Sequence, residues 1–453
     1  MKKQNLLFLF FLLTSCSAWA ADVFKYMSMT DVPLSVSLPV WSEMQSKLSF
    51  GYEVNEAYKK WLDGVKVADF SGHSFREAYQ YKINERFTAG ASFINGGKQK
   101  WKNKEKKEMS VFNFDSGSST DEFFVKYSDE YFSAVLGKGR AKDELEGSYH
   151  LHKDIVSALG ANPEIFFDTD TDYTYWRLYK EHKKAKLLIG GEKSQIDHEI
   201  YTETPAMKLT LNLNRKVYEK FAEMSYEVNS QWAPYFRRYQ YKDLGAGTNY
   251  RSDVYEVGNN GMHFKSAVST FGTAYTRKNA DYWLDYSKIS LKASANTFFN
   301  LGNIEPLFLF SSGPIAVDYN VKYSPEEVRM ARFGLKRHYR QTNYFLQYSL
   351  TKLVGDTTQH SLKRYSPFFS TPDFEESKTK KRSTRMHRFD FTLKAPTNKG
   401  HWVYKLNLLA PITKTLRKDS SDGKTTPDGK TTPKPDKDIR GGWQLIIARE
   451  FNF

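Results

Sequence analysis

The chain is poor in cysteine: it has one, Cys16, within its first twenty residues. If a leader is cut after Ala20, no thiol remains and no disulfide framework can hold the loops. Beyond the leader there is no run of about 18 apolar residues, which excludes a membrane-spanning helix. No G-x-S-x-G and no His-x-Ser context on a strand nominates a nucleophile, so the sequence gives no reason to expect an enzyme. Acidic residues are the minority, 52 against 67 Lys and Arg, for a formal charge of +15. What the chain has instead is aromatic side chains, 29 Tyr and 33 Phe, in a polypeptide whose mean hydropathy is only -0.63. Strands that hide alternate residues in lipid and wet the others produce that combination.

The first residues have the parts of a secretory signal. Lys2 and Lys3 are basic, Leu6 to Leu13 form an apolar core, and Ala18-Trp19-Ala20 is a small-x-small cleavage site. Leu13-Thr14-Ser15-Cys16 also fits a lipoprotein signal, in which Cys16 would be acylated. Both readings export the chain, which removes nucleic acid as a partner for its basic charge and leaves lipopolysaccharide phosphates and anionic solutes. Residues 21–46, with Pro33 and Pro39, read as a periplasmic or lumenal lead-in too small for a plug domain.

The last residues carry the clearest pattern. Trp443, Leu445, Ile447, Arg449, Phe451 and Phe453 alternate with Gln444, Ile446, Ala448, Glu450 and Asn452. This period of two ends on a terminal aromatic, as expected of a strand closing a lipid-embedded barrel at its aromatic girdle. In this the chain resembles bacterial outer-membrane β-barrels, whose C-terminal strand ends in Phe and serves as the recognition signal for the barrel-assembly machinery. The resemblance implies an outer-membrane location in a Gram-negative bacterium. It also implies that Trp443, Leu445, Ile447, Phe451 and Phe453 act as the assembly signal.

From residue 47 to 453 the rest of the chain is consistent with this. Phe75 to Ile83 alternates and turns at Asn84-Glu85-Arg86 into Phe87, Ala89, Ala91 and Phe93. Phe123, Val125 and Tyr127 precede a turn at Ser128 to Glu130. Tyr173 to Lys180 and Ala185 to Gly191 flank another at Glu181 to Lys184. Met207 to Leu213 alternates cleanly, and Arg215 to Tyr218 reads as a break before Ala222 to Val228. Asn259-Asn260-Gly261 is a hairpin signal. Tyr282 to Ala295 is one strand or two. Further pairs meet at Arg340 to Thr342 and at Pro396 to Gly400. The expected fold is an all-β transmembrane antiparallel β-barrel of about 18 strands (16–18), with short periplasmic turns and long extracellular loops. The long insertions are Lys142 to Asp172, Leu301 to Ser324, Gly355 to Arg382 and Thr415 to Asp438. The last of these holds a tandem D-G-K-T-T-P repeat at Asp422 to Pro433.

If the aromatic face meets lipid, the opposite face collects Arg76, Lys82, Lys126, Lys208, Arg332, Lys336, Arg340, Arg388, Lys394 and Lys405. The acids there are fewer: Glu223, Glu227, Asp390 and Glu450. A charge at the lipid midplane costs roughly 2–4 kcal/mol for Arg or Lys, so these groups point inward or sit at an interface. Two arrangements remain open: a positive lumen that concentrates anions, or charges that pair and fill the barrel.

Lys142 to Asp172, with a short helix at Lys153 to Gly160, joins the fifth and sixth strands. In general porins, which this arrangement resembles in topology alone, the loop at that place folds inward and narrows the pore; a loop that stays at the surface is the equal alternative. Asp168, Asp170 and Asp172 are the one metal candidate, for Ca²⁺, although they lack the Gly and distal Glu of an EF-hand. His150 and His152 have no third ligand at a telling spacing. No cofactor is expected.

These readings converge on a porin-like channel for passive diffusion of small polar solutes, anions preferred. The alternatives are an exporter of an anionic polysaccharide and a non-transport surface protein whose loops bind a ligand or lipopolysaccharide.

Overall fold

Alternation of apolar and polar side chains makes a strand amphipathic, and a strand exposed to lipid on one face must have every backbone group paired. A ring of strands satisfies both conditions. A computed structural model describes residues 32–37, 43–60, 66–103, 111–150, 164–204, 207–247, 249–251, 256–300, 314–339, 342–365, 374–419 and 437–452.

The strands are β1 (Lys47–Lys60), β2 (Lys66–Lys82), β3 (Phe87–Asn103), β4 (Val111–Ser128), β5 (Ser133–His150), β6 (Glu164–His182), β7 (Ala185–Thr204), β8 (Met207–Tyr226), β9 (Trp232–Gly247), β10 (Asn249–Arg251), β11 (Glu256–Arg277), β12 (Ala280–Asn300), β13 (Pro314–Tyr339), β14 (Thr342–Tyr365), β15 (Phe374–Thr397), β16 (Gly400–Asp419) and β17 (Lys437–Asn452). Sixteen form an antiparallel wall, and the three-residue β10 pairs with β11 beyond the end of β9. The wall closes where β1 meets β17, from Lys47 opposite Asn452 to Lys60 opposite Ile439. The alternating C-terminal segment is therefore the closing strand.

The outer face is apolar for several residues near the turn end of most wall strands. On β12, Tyr282, Leu284 and Tyr286 point outward; on β14, Tyr344, Leu346 and Tyr348 do. Aromatic pairs mark the turn end, among them Trp232–Tyr275 at 4.9 Å and Phe87–Tyr127 at 5.1 Å. The turns are tight and self-capped. Asp129 accepts from the backbone N–H of Tyr131 and Phe132 and from the Tyr127 hydroxyl, and this hydroxyl, first among the causes, holds its carboxyl below the usual range.

Three sequence expectations change. The segments 142–172, 301–324, 355–382 and 415–438 are not wholly loop. β5 runs to His150 and β6 begins at Glu164, β13 begins at Pro314, β14 runs to Tyr365, and β16 runs to Asp419. A strand of 20 residues tilted by ~40° rises roughly 50 Å, about twice the ~25 Å apolar band of an outer membrane. Beyond the lipid both faces meet water, so the ladder continues after the hydrophobic alternation has stopped. Second, Asn259-Asn260-Gly261 is a bulge inside β11, where the register against β12 shifts, and not a hairpin. Third, Arg215 to Tyr218 is no break: β8 passes through it, and β12 is a single strand. These mergers take about eighteen strands to fifteen, and β9, which the sequence pattern did not show, makes sixteen in the wall. The proposed helix at 153–160, His152 and the tandem repeat at 422–433 lie outside the described residues, as do residues 1–31 and Phe453.

Large inward side chains need room on the neighbouring strand. Gly334 on β13 lies under the Trp283 ring of β12, and a Cβ there would overlap the indole. Gly334→Ala is expected to cost about 1–3 kcal/mol by overpacking, read as a lower urea midpoint of the refolded barrel. An unmoved midpoint would mean that the indole is not packed on this glycine.

Candidate functional site at the turn-end mouth of the barrel

The site is built from inward residues of the strands near their short turns. On β9 the alternation turns Tyr235, Arg237, Tyr239, Tyr241 and Asp243 inward, all nearly fully buried. On β8 it turns Glu223 inward, on β12 Asp281, Trp283 and Asp285, and on β13 Arg332 and Lys336.

Most of these charges are paired. Arg332 grips Asp285 through two hydrogen bonds, Nε to Oδ1 at 2.9 Å and Nη2 to Oδ2 at 2.8 Å, and Tyr235 donates its hydroxyl to the same carboxylate at 2.7 Å. Arg237 Nε meets Glu223 at 2.8 Å, and Arg388 Nε meets Asp390 at 2.8 Å. Farther from the turns, Arg215 bridges Asp243 and touches His198. Arg76 pairs with Glu53, and Lys394 with Glu450 at 2.9 Å. Two residues near the turns also pair: Lys82 with Glu85, and Glu227 with Lys186, both at 2.8 Å. For the buried pairs among these, Arg332–Asp285, Arg237–Glu223 and Arg215–Asp243, the partner offsets the cost of taking each charge out of water.

The described lumen candidates lie on the inward face of their strands, but most of the bases among them are paired and do not leave a free positive field. Lys126, Lys336 and Lys405 are the predicted bases with no salt-bridge carboxylate among the described residues. The side chain of Lys208 and the whole of Arg340 lie outside the description. Sequence reading missed Glu53, Arg215, Tyr235, Arg237, Asp243 and Asp285, because pairing partners depend on register between strands.

The N-terminal lead-in enters this mouth. Residues 33–37 form a turn, with the N–H groups of Val36 and Ser37 donating to Pro33 O at 2.9 and 3.1 Å. Pro33 and Leu34 are buried, and the Leu34 N–H donates to Glu223 Oε1 at 2.7 Å. Val36 packs against the cluster formed by Tyr235, Ala274 and Trp283, and Phe345 stacks on Trp283 at 5.5 Å. Lys336 Nζ donates to Val36 O at 3.3 Å. The next described stretch of the lead-in rests on the opposite arc of the wall. There Gln80 Nε2 donates to Glu43 O and Gln45 O at 3.0 and 2.6 Å, and Lys126 Nζ donates to Gln80 Oε1. A signal for this was present: Val32, Leu34, Val36, Leu38 and Val40 alternate with small or polar residues and proline.

The Ca²⁺ candidate is not assembled. Asp168, Asp170 and Asp172 lie on extended β6, pointing outward at alternate positions, and Asp170 pairs with Arg140 at 3.0 Å. Carboxylates spaced along a straight strand do not converge on one ion, and no metal-binding group of three is found among the described residues. Of the closing strand, Trp443, Leu445, Ile447 and Phe451 face outward. Arg449 lies over the Trp402 and Phe451 rings.

This is a closed transmembrane β-barrel of sixteen strands that receives part of its own N-terminal segment. Among solved structures it is similar to the Pseudomonas putida toluene transporter TodX (10% identity, 93% of this chain and 93% of that one, TM-score 0.40). It is also similar to the Ralstonia pickettii toluene transporter TbuX (9%, 93% and 93%, 0.41) and to the translocator domain of the autotransporter NalP from Neisseria meningitidis (12%, 61% and 92%, 0.35). No family model and no curated protein matches the chain.

Proposed function

We propose that the chain is an outer-membrane channel that passes small polar solutes passively, anions preferred, through a mouth narrowed by its own N-terminal segment. The observation that carries this reading is the seating of residues 33–37 inside the wall, with the Leu34 N–H on Glu223 and Val36 against the Tyr235–Ala274–Trp283 cluster. Sixteen strands enclose a space wide enough for water unless something fills it, and here a short piece of chain occupies one side. The outward apolar belt supports placement in a bilayer.

The paired arginines do not account for anion preference. The bases that support it are Lys336 and Lys126, which sit where the lead-in touches the two arcs, together with exposed Lys405. A solute passing the segment meets these lysines before the neutralised wall, and a low-dielectric rim strengthens their effect on a mobile anion.

The test is the reversal potential of the refolded protein in a planar bilayer under a salt gradient. Wild type is expected to favour anions, and Lys336→Glu with Lys126→Glu to move the reversal potential toward the cation side. A cation-selective wild type would overturn the preference, and a barrel that inserts but never conducts would overturn the channel.

A further inference from the structure

The outer face carries bases where the apolar belt ends. On β12 the outward series Tyr282, Leu284, Tyr286 is followed by Lys288; on β14 Tyr348 and Leu350 are followed by Lys352; on β13 Phe333 and Ala331 are followed by Arg329. The register then sets these bases side by side. Lys288 lies opposite Arg329, Arg329 opposite Lys352, and Lys352 opposite Arg385. A second row lies opposite in the same way, Lys242 on β9, Lys265 on β11 and Lys292 on β12. Each of these seven alternates with a wall-facing neighbour and so points outward, and six are exposed, Lys352 being half-buried.

Like charges directly opposite on neighbouring strands destabilise a sheet. Among the described residues one carboxylate, Glu327, answers the first row, meeting Arg329 at 3.1 Å and Lys352 at 2.9 Å. None answers the second. The opposite side of the barrel is mixed: at comparable distances from the turns its outward residues include Glu56, Glu77, Asp121 and Asp172 together with Lys138, Arg140 and Lys193, and Arg140 is paired with Asp170. The basic rows thus lie at the loop-side edge of the apolar belt.

We propose that these two rows seat the phosphate groups of the glycolipid that forms the outer leaflet, so that this flank of the barrel binds lipopolysaccharide. The inference rests on the outer-membrane placement argued above. A phosphate between two lysines removes the repulsion that the bare ladder carries, while the acyl chains lie on the aromatic and aliphatic belt below. The rows run across β9 and β11–β15, six adjacent wall strands. That is a broad arc for a lateral contact with one second copy, and a lipid annulus covers it without a matching protein surface.

The experiment uses the full mature barrel, refolded in a neutral detergent and titrated with lipid A carrying both phosphates or with the same lipid A after phosphate removal. Wild type is expected to bind the phosphorylated form about tenfold more tightly or better. Lys265→Gln with Lys288→Gln is expected to lose most of that difference. Without lipid the same variant should be as stable as wild type or more so, because the ladder is relieved. Equal binding of the two lipids, unchanged binding by the variant, or a wild-type oligomer that the variant turns into a monomer would each overturn the proposal. Should the double variant fail to fold, Lys242→Gln alone serves, with the same outcomes read at smaller size. Recovery of the protein from a cell compartment other than the outer membrane would count against the placement, and the titration would still report on the rows.

Discussion

Deleting residues 22–40 is expected to raise single-channel conductance roughly two- to fivefold, because a sixteen-stranded wall left unfilled encloses an aqueous channel. The barrel should survive the deletion, since Glu223 keeps Arg237 as a partner when the Leu34 N–H is lost. Lys336 loses the carbonyl of Val36 and turns to water. Leu34→Asp should act in the same direction without shortening the chain: it sets a second carboxylate beside Glu223 in a buried site, and two such groups cannot both ionise cheaply. Glu223→Gln is the control, because its side-chain carbonyl still accepts from Leu34 while the charge is gone. Traces from wild type and the two opening variants in one lipid decide the matter. Equal conductances would mean that the segment lies beside the permeation path and not across it.

How much of this was readable beforehand follows from where lipid begins and ends. Turns at residues 84–86, 128–130 and 396–400 and the closing strand were legible, because inside the bilayer the outward face must be apolar and the alternation is forced. Above the belt the constraint lapses, so β5, β6, β13, β14 and β16 extend into stretches that read as loop. β9 escaped notice for a different reason. Its inward face carries Tyr235, Tyr239 and Tyr241 and its outward face Trp232 and Phe236, so both faces look aromatic, and Pro234 weakens the strand signal further. The inward direction of Arg76, Arg332 and Arg388 was legible from parity alone. Their neutralisation was not, because Asp285 becomes the partner of Arg332 only once β12 and β13 are set in register. The outward ladder of bases was hidden in the same way: single lysines along a sequence do not reveal that they stand opposite one another.

Breaking the Asp285–Arg332 pair is expected to give the largest loss of stability among single changes at the mouth. Both side chains are 2% exposed or less, the contact is bidentate, and Tyr235 donates to the same carboxylate. Asp285→Ala strands a guanidinium in the packed wall beside Trp283, at an expected cost of about 3–5 kcal/mol. Replacing both partners, Asp285→Leu with Arg332→Met, should recover most of that loss, since the large penalty comes from the uncompensated charge and not from absence of the pair. Tyr235→Phe removes one hydrogen bond to a charged group and should cost about 1.5–3 kcal/mol. Unfolding of the barrel in urea, followed by tryptophan fluorescence, gives all three values on one scale. An Asp285→Ala barrel that also survives in the bilayer carries one more positive charge in its lumen, so its reversal potential should move further toward anions. A loss below about 1 kcal/mol would place the pair in water and not in the packed wall; a full loss of stability with no change in selectivity would keep Arg332 in the wall but remove it from the conducting path.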